Sequence, residues 1–154
     1  MTASAVPFAA LILILGAFVL PWLGARARSA TVLLLPVLAL YFVWSVPESG
    51  GASIHFLDYE IAPVRGDRLS KLFATVFALM AFGGGLFALN RKSVLELCAA
   101  LVYAGAAIGA VMAGDLISLF VFCEVMAIGS TLVVWSAGAE GAYKASLRYL
   151  MIHL

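Results

Sequence analysis

Residues 115–135 read DLISLFVFCEVMAIGSTLVVW, an almost unbroken apolar run behind Asp115 with a single further charge, Glu124, near its middle. A helix that crosses about 30 Å of hydrocarbon needs roughly 20 such residues, so this run predicts one crossing. Four more stretches of the same kind lie at about 4–23, 30–47, 69–89 and 94–113. The whole chain agrees with that reading, because 65% of its 154 residues are hydrophobic and only 11% are charged. The mean hydropathy is +1.13. A soluble domain carries about 25% charged residues, so charge here is too sparse to clothe a water-facing surface. The expected fold is all-α, a polytopic transmembrane helix bundle with about five complete spans in a lipid bilayer. A formal net charge of +1 with no basic run argues against nucleic acid as a partner. Cys98 and Cys123 both lie inside apolar runs, which excludes a disulfide framework and a CxxC metal or redox site.

The first stretch is read as a true span. Nothing basic precedes it, its run is too long for a signal h-region, and Pro21-Trp22-Leu23 is not a small-residue cleavage site. The second contains Pro36, where a kink is expected; neighbouring helices re-satisfy the freed carbonyl in such spans. A sixth segment, 140–154, is turning apolar at Leu154. Residues 142–154 would reach only about 20 Å as a helix. The expectation is therefore the N-terminal part of a single membrane domain, with the remainder of the same chain beyond Leu154 among its partners.

Short cytoplasmic loops hold an excess of Lys and Arg. Arg26 and Arg28, Arg91 and Lys92, and Lys144 and Arg148 fall in three loops that share one side of the membrane. The other side receives the N-terminus, the loop 48–68 and the Gly114-Asp115 turn. This predicts a multi-pass protein with its N-terminus outside; in a bacterial inner membrane, the expected location, that side is the periplasm, and the sequence alone does not exclude an organelle. Residues 53–61 partly alternate apolar and polar side chains before Pro63 and Gly66, which predicts a short hairpin lying as a lid over the outer helix ends. His55, Asp58 and Glu60 within it match no metal-ligand spacing and read as surface composition.

Most polar residues near the interfaces have local explanations. Ser93-Val94-Leu95-Glu96 has the form of a capping box, and Asp67 and Asp115 precede helices as N-caps. Asp115 is also a candidate ion entrance, since rim carboxylates guide ions. Gly105 and Gly109 make a GxxxG step, and Gly83-Gly84-Gly85 interrupts the third span; tight helix packing explains both, while a bend or exposed carbonyls is the other reading of the triple glycine.

Glu124 has no such explanation. It is too deep to cap its helix or to reach either surface, and Ile117, Val121, Ala127, Ile128 and Thr131 around it supply no charge. An acid at the bilayer centre costs at least about 2.5–3.5 kcal/mol on insertion scales, so it marks a functional site by default. The chemistry on offer is proton exchange. Burial penalises an ionised carboxylate and an approaching ammonium restores it, so a cation that approaches and withdraws loads and unloads a proton. Lys71, Lys92 and Lys144 all map near helix ends, so the partner is expected elsewhere. No HExxH, GxSxG or polar cluster at membrane depth points to catalysis, and no cofactor or metal is indicated.

The stretch from Asp115 to Ser130, followed by Ala145-Ser146-Leu147-Arg148-Tyr149-Leu150, resembles the fifth helix and opening of the sixth in the antiporter-like membrane subunits of respiratory complex I and Mrp-type cation/proton antiporters. Asp67-Arg68-Leu69-Ser70-Lys71-Leu72-Phe73 resembles the family's approach to its third helix. In style the motif is similar to the D-type member of the Mrp antiporter subunits. The resemblance implies a subunit of about fourteen helices in two inverted halves. It also implies a hetero-oligomeric complex with other membrane subunits that handles protons and Na+ or K+, with no catalytic chemistry of its own or as one subunit of a NADH-quinone oxidoreductase-like complex. It implies that Glu124 is the fifth-helix glutamate, which in the family pairs with a lysine on the seventh helix. Cys123 stands where the family often has an aromatic residue. The expected function is proton translocation through a buried glutamate; the alternative is a non-transporting scaffold in which Glu124 is an assembly contact.

Overall fold

The computed structural model describes residues 7–47, 54–56, 59–89 and 93–153, with backbone alone for the two strand segments. Six α-helices dominate: α1 Phe8–Val19, α2 Ala25–Ser45, α3 Arg68–Ala88, α4 Val94–Met112, α5 Leu116–Ser136 and α6 Ala142–His153. A 3-10 turn, Leu20–Trp22, extends α1. α2 to α5 are each long and apolar enough to cross a membrane. The first apolar run, expected as a span over 4–23, gives a shorter apolar helix from Phe8 to Trp22, with Pro7 at its N-cap and Pro21 tightening its last turn; residues 4–6 lie outside the described residues. α2 begins five residues before its expected start, with Arg26 and Arg28 inside it. Hydropathy marks where lipid contact begins, not where helical hydrogen bonding begins, and arginine is a good helix former.

The helix starts follow from side chains. Asp67 accepts the Ser70 N–H at 2.6 Å, Ser93 Oγ accepts the Glu96 N–H at 3.3 Å, and Asp115 Oδ1 accepts the Ser118 N–H at 2.7 Å. Each satisfies one of the donors a helix leaves free at its N-terminus. At the end of α5, Gly138 takes φ +65°, the left-handed conformation in which a helix is commonly stopped. Arg28 donates to the carbonyls of Leu20 at 3.4 Å and Leu23 at 3.0 Å, which closes the end of α1.

Connections of two to five residues join α1 to α2, α3 to α4, α4 to α5 and α5 to α6, so these neighbours run antiparallel. α4 is the centre. It packs against α1, α3 and α5, while α2 packs against α1 and α3, and α6 against α5. Half of its apolar window is buried, against 17–28% for the other three long helices. The core holds Leu13, Leu20, Val32, Val43 and Ile108. Large apolar side chains such as Phe18, Phe87, Leu116 and Ile152 point outward, as lipid-facing surfaces do.

α2 continues through Pro36, which is buried. Its missing N–H leaves the Val32 carbonyl without a helical donor. α3 comes up against that turn: a methyl added at Gly85 would lie 2.9 Å from Val32 Cγ1 and 3.5 Å from the Val32 oxygen. α3 likewise continues through all three glycines, and Gly83 and Gly84 have nothing within 4 Å of an added methyl. Close packing is thus the task of Gly85 alone.

The hairpin forms. β1, Ile54–Phe56, pairs antiparallel with β2, Tyr59–Ile61, in the register Ile54 to Ile61 and Phe56 to Tyr59. The following segment is fastened to the α4–α5 turn by Gly114 N–H to Ala62 O at 2.9 Å and Arg65 N–H to Met112 O at 2.7 Å. Val64 is buried beneath it. The described segment 62–65 therefore lies against the α4–α5 turn, just before α5 starts. Asp58 and the side chains of His55 and Glu60 lie outside the described residues, as do Arg91 and Lys92.

Candidate functional site

α5 is the least enclosed of the long helices, with α4 on one side and α6 near its end. Two close approaches fix its register on α4. A methyl at Gly109 would run into the Phe122 ring, and one at Gly129 would lie 3.0 Å from Tyr103 N. In an antiparallel pair these contacts place Glu124 at the level of Ala107, itself buried and apolar. Leu116 to Glu124 is eight residues, so the carboxyl lies about 12 Å along the helix from its start.

Glu124 is half-buried, and its Oε2 is buried with no hydrogen-bond partner; among the described residues no other buried side-chain oxygen or nitrogen is in that state. The hydroxyls nearest along α5 are already committed. Ser130 Oγ donates to Ala127 O at 2.9 Å and Thr131 Oγ1 donates to the same oxygen at 2.8 Å. Phe120, Val121 and Ile128, one turn either side of Glu124, are exposed. The carboxyl therefore sits at the edge between the α4 contact and an open apolar stripe of α5. Oε2 lacks a donor, and a donor costs less there than an unpaired oxygen.

Asp115, the candidate ion entrance, lies at the same end of the bundle as the hairpin. Besides its cap, Oδ2 accepts the Ser118 hydroxyl at 2.8 Å. Burial pushes this carboxyl up, and donors from Ser118, Ile117 and Ala62 outweigh that push and hold it below the ordinary carboxylate range. Both oxygens are thus engaged, and Ala62 links them to the segment pinned on the α4–α5 turn.

Lys71 was legible only as a residue near a helix end, and its surroundings were not. It is 5% exposed, with Nζ 5.9 Å from the centroid of the Trp44 ring. Trp44 Nε1 donates to Thr75 Oγ1 at 3.2 Å, and Thr75 donates to the Lys71 carbonyl at 2.7 Å. The signal was present in the spacing: Lys71, Ala74, Ala78 and Gly85 form the buried stripe of α3, so the lysine occupies a core position. α3 packs on α2 and α4, whereas α5 packs on α4 and α6, and the structure does not bring Lys71 to Glu124.

Among the described residues no three of His, Cys, Asp and Glu gather as metal ligands. Comparison with protein families, with curated proteins and with solved structures found no match to this chain.

Proposed function

We propose that this chain belongs to a proton-translocating subunit of a monovalent cation/proton antiporter, or of a related redox-driven pump, and that Glu124 is its proton carrier. The observation that carries the reading is Glu124 Oε2, buried and without a donor, on a helix whose far side is open. A further helix that covers the stripe of Phe120, Val121 and Ile128 would bring a Lys or Arg to that carboxyl. Approach of the cation favours the carboxylate and withdrawal favours the acid, so one proton moves per cycle without a covalent step. Asp115 marks the rim of the path. The resemblance of 115–150 to antiporter-like subunits, closest in style to the D-type member of the Mrp set, supports the same reading. The basic loops support an N-terminus on the outer side, which in a bacterial inner membrane is the periplasm.

A scaffold subunit is the second reading, because a fixed assembly contact would also fill the open position at Glu124. The test uses proteoliposomes of the assembled complex with a pH-sensitive dye inside. A Na+ or K+ gradient, or redox drive, should move protons across the membrane. An intact complex that moves none under either drive would leave the scaffold reading.

A further inference from the structure

We propose that the bundle binds an aminophospholipid of the leaflet at its basic end, with one acyl chain between α3 and α4 and the head-group ammonium on Glu96. This site is separate from Glu124 and does not depend on its role.

A cavity of about 380 Å³ lies between the two helices. It exists because the facing stripes are built from small residues, Ala81 and Gly84 on α3 and Ala100 and Ala104 on α4, while Val133 of α5 closes one side. Gly84 has open space where a side chain would begin, which gives the triple glycine a second task beside the packing of Gly85. Phe87 at the rim is 81% exposed, so the cavity opens sideways toward lipid. Among its described lining residues only Glu96 and Tyr103 carry a side-chain oxygen.

The polarity is ordered along the membrane normal. Glu96 stands in the first turn of α4, at the end of the bundle that carries Arg26 and Arg28. From there the apolar wall runs inward to Ala104, about 12 Å deeper. An acid at head-group depth above an apolar slot matches an amphiphile with a cationic head and a hydrocarbon tail. The Glu96 carboxylate takes part in no hydrogen bond or ion pair among the described residues, since its backbone N–H alone bonds Ser93. A primary ammonium donates charge-assisted hydrogen bonds to such a group, whereas a choline head has no N–H to give and an anionic head is repelled. Walls this apolar hold water poorly, so hydrocarbon is the fitting occupant.

The test is native mass spectrometry of the whole protein in detergent, titrated separately with dioleoyl-phosphatidylethanolamine, -phosphatidylcholine and -phosphatidylglycerol. The ethanolamine lipid should be retained at least about tenfold better than the glycerol lipid, the size of one charge-assisted hydrogen bond. Glu96→Gln should abolish that preference while leaving the fold intact, because glutamine also serves at this helix position. Gly84→Phe, which fills the slot, should weaken retention of all three lipids. Ala100→Leu on the opposite wall gives the same reading should the larger substitution impair folding. Equal or better retention of the glycerol lipid by the unmodified protein would overturn the proposal, as would an unchanged preference in Glu96→Gln or unchanged retention in the filled-slot variants.

Discussion

Asp115 and Lys71 show how differently two charges can be accommodated at the same end of a bundle. Asp115 is bonded by its own helix and by the loop above it, and its carboxyl is held below the ordinary range. A depressed value means that its stabilisation is fully present above the unfolded value of about 4 and is lost as pH falls through the folded value. Protection of the Ser118 amide against hydrogen exchange, corrected for intrinsic rate, should therefore drop below about pH 4. In Asp115→Asn, which still caps but does not titrate, it should stay flat, and Asp115→Ala should cost about 1 kcal/mol at neutral pH. Among the described residues Lys71 has only an indole ring against its ammonium, and a cation–π contact of about 0.5–2 kcal/mol falls short of the hydration that a mostly buried side chain gives up. Lys71→Met should raise the thermal midpoint of the detergent-solubilised protein; a clear fall would mean that the ammonium has a stronger partner in the whole assembly.

At the scale of elements, the sequence made α3 to α6 visible to within two residues, because Asp67, Ser93 and Asp115 put a cap where each of three apolar runs begins. Direction around a helix was less visible. The Gly105-Gly109 step suggests one packing face, yet the two glycines serve different neighbours: a methyl on Gly105 would sit 2.8 Å from Ala10 O of α1, while Gly109 receives Phe122 of α5. Four residues advance a helix by about 40° beyond a full turn, enough to divide a broad face between two partners. No periodicity reveals that without knowing which helices touch. Gly105→Ala and Gly129→Ala press a methyl onto neighbouring backbone and should each destabilise the bundle by roughly 1–3 kcal/mol. Gly83→Ala meets nothing and should be neutral or stabilising by up to about 1 kcal/mol. Thermal midpoints of the three variants, measured side by side, check this order.

For the whole molecule, composition together with apolar runs of about 20 residues announced a helical membrane bundle, since a helix satisfies its own backbone in lipid and a barrel strand is about half that length. The central place of α4 and the open flank of α5 depend on which helices meet, and hydropathy is silent on that. Orientation is a separate matter, carried by the basic loops. In a protein whose native cysteines are replaced, a single cysteine at Lys92 should react with an impermeant reagent only from the cytoplasmic side and one at Ser53 only from outside; the reverse pattern would invert the bundle and move Asp115 to the inner rim. The open flank matters most where Glu124 meets it. The most direct measurement is cation- or redox-driven proton flux in proteoliposomes of the complete complex carrying Glu124→Gln or Glu124→Asp, with complex recovery measured on the same preparations. Gln keeps the size and the hydrogen bonds but not the titrating proton, so flux should be nearly abolished while assembly persists, and Asp should retain part of it because its carboxylate is withdrawn by one methylene. Full flux in an assembled Glu124→Gln complex would contradict the proton-carrier account.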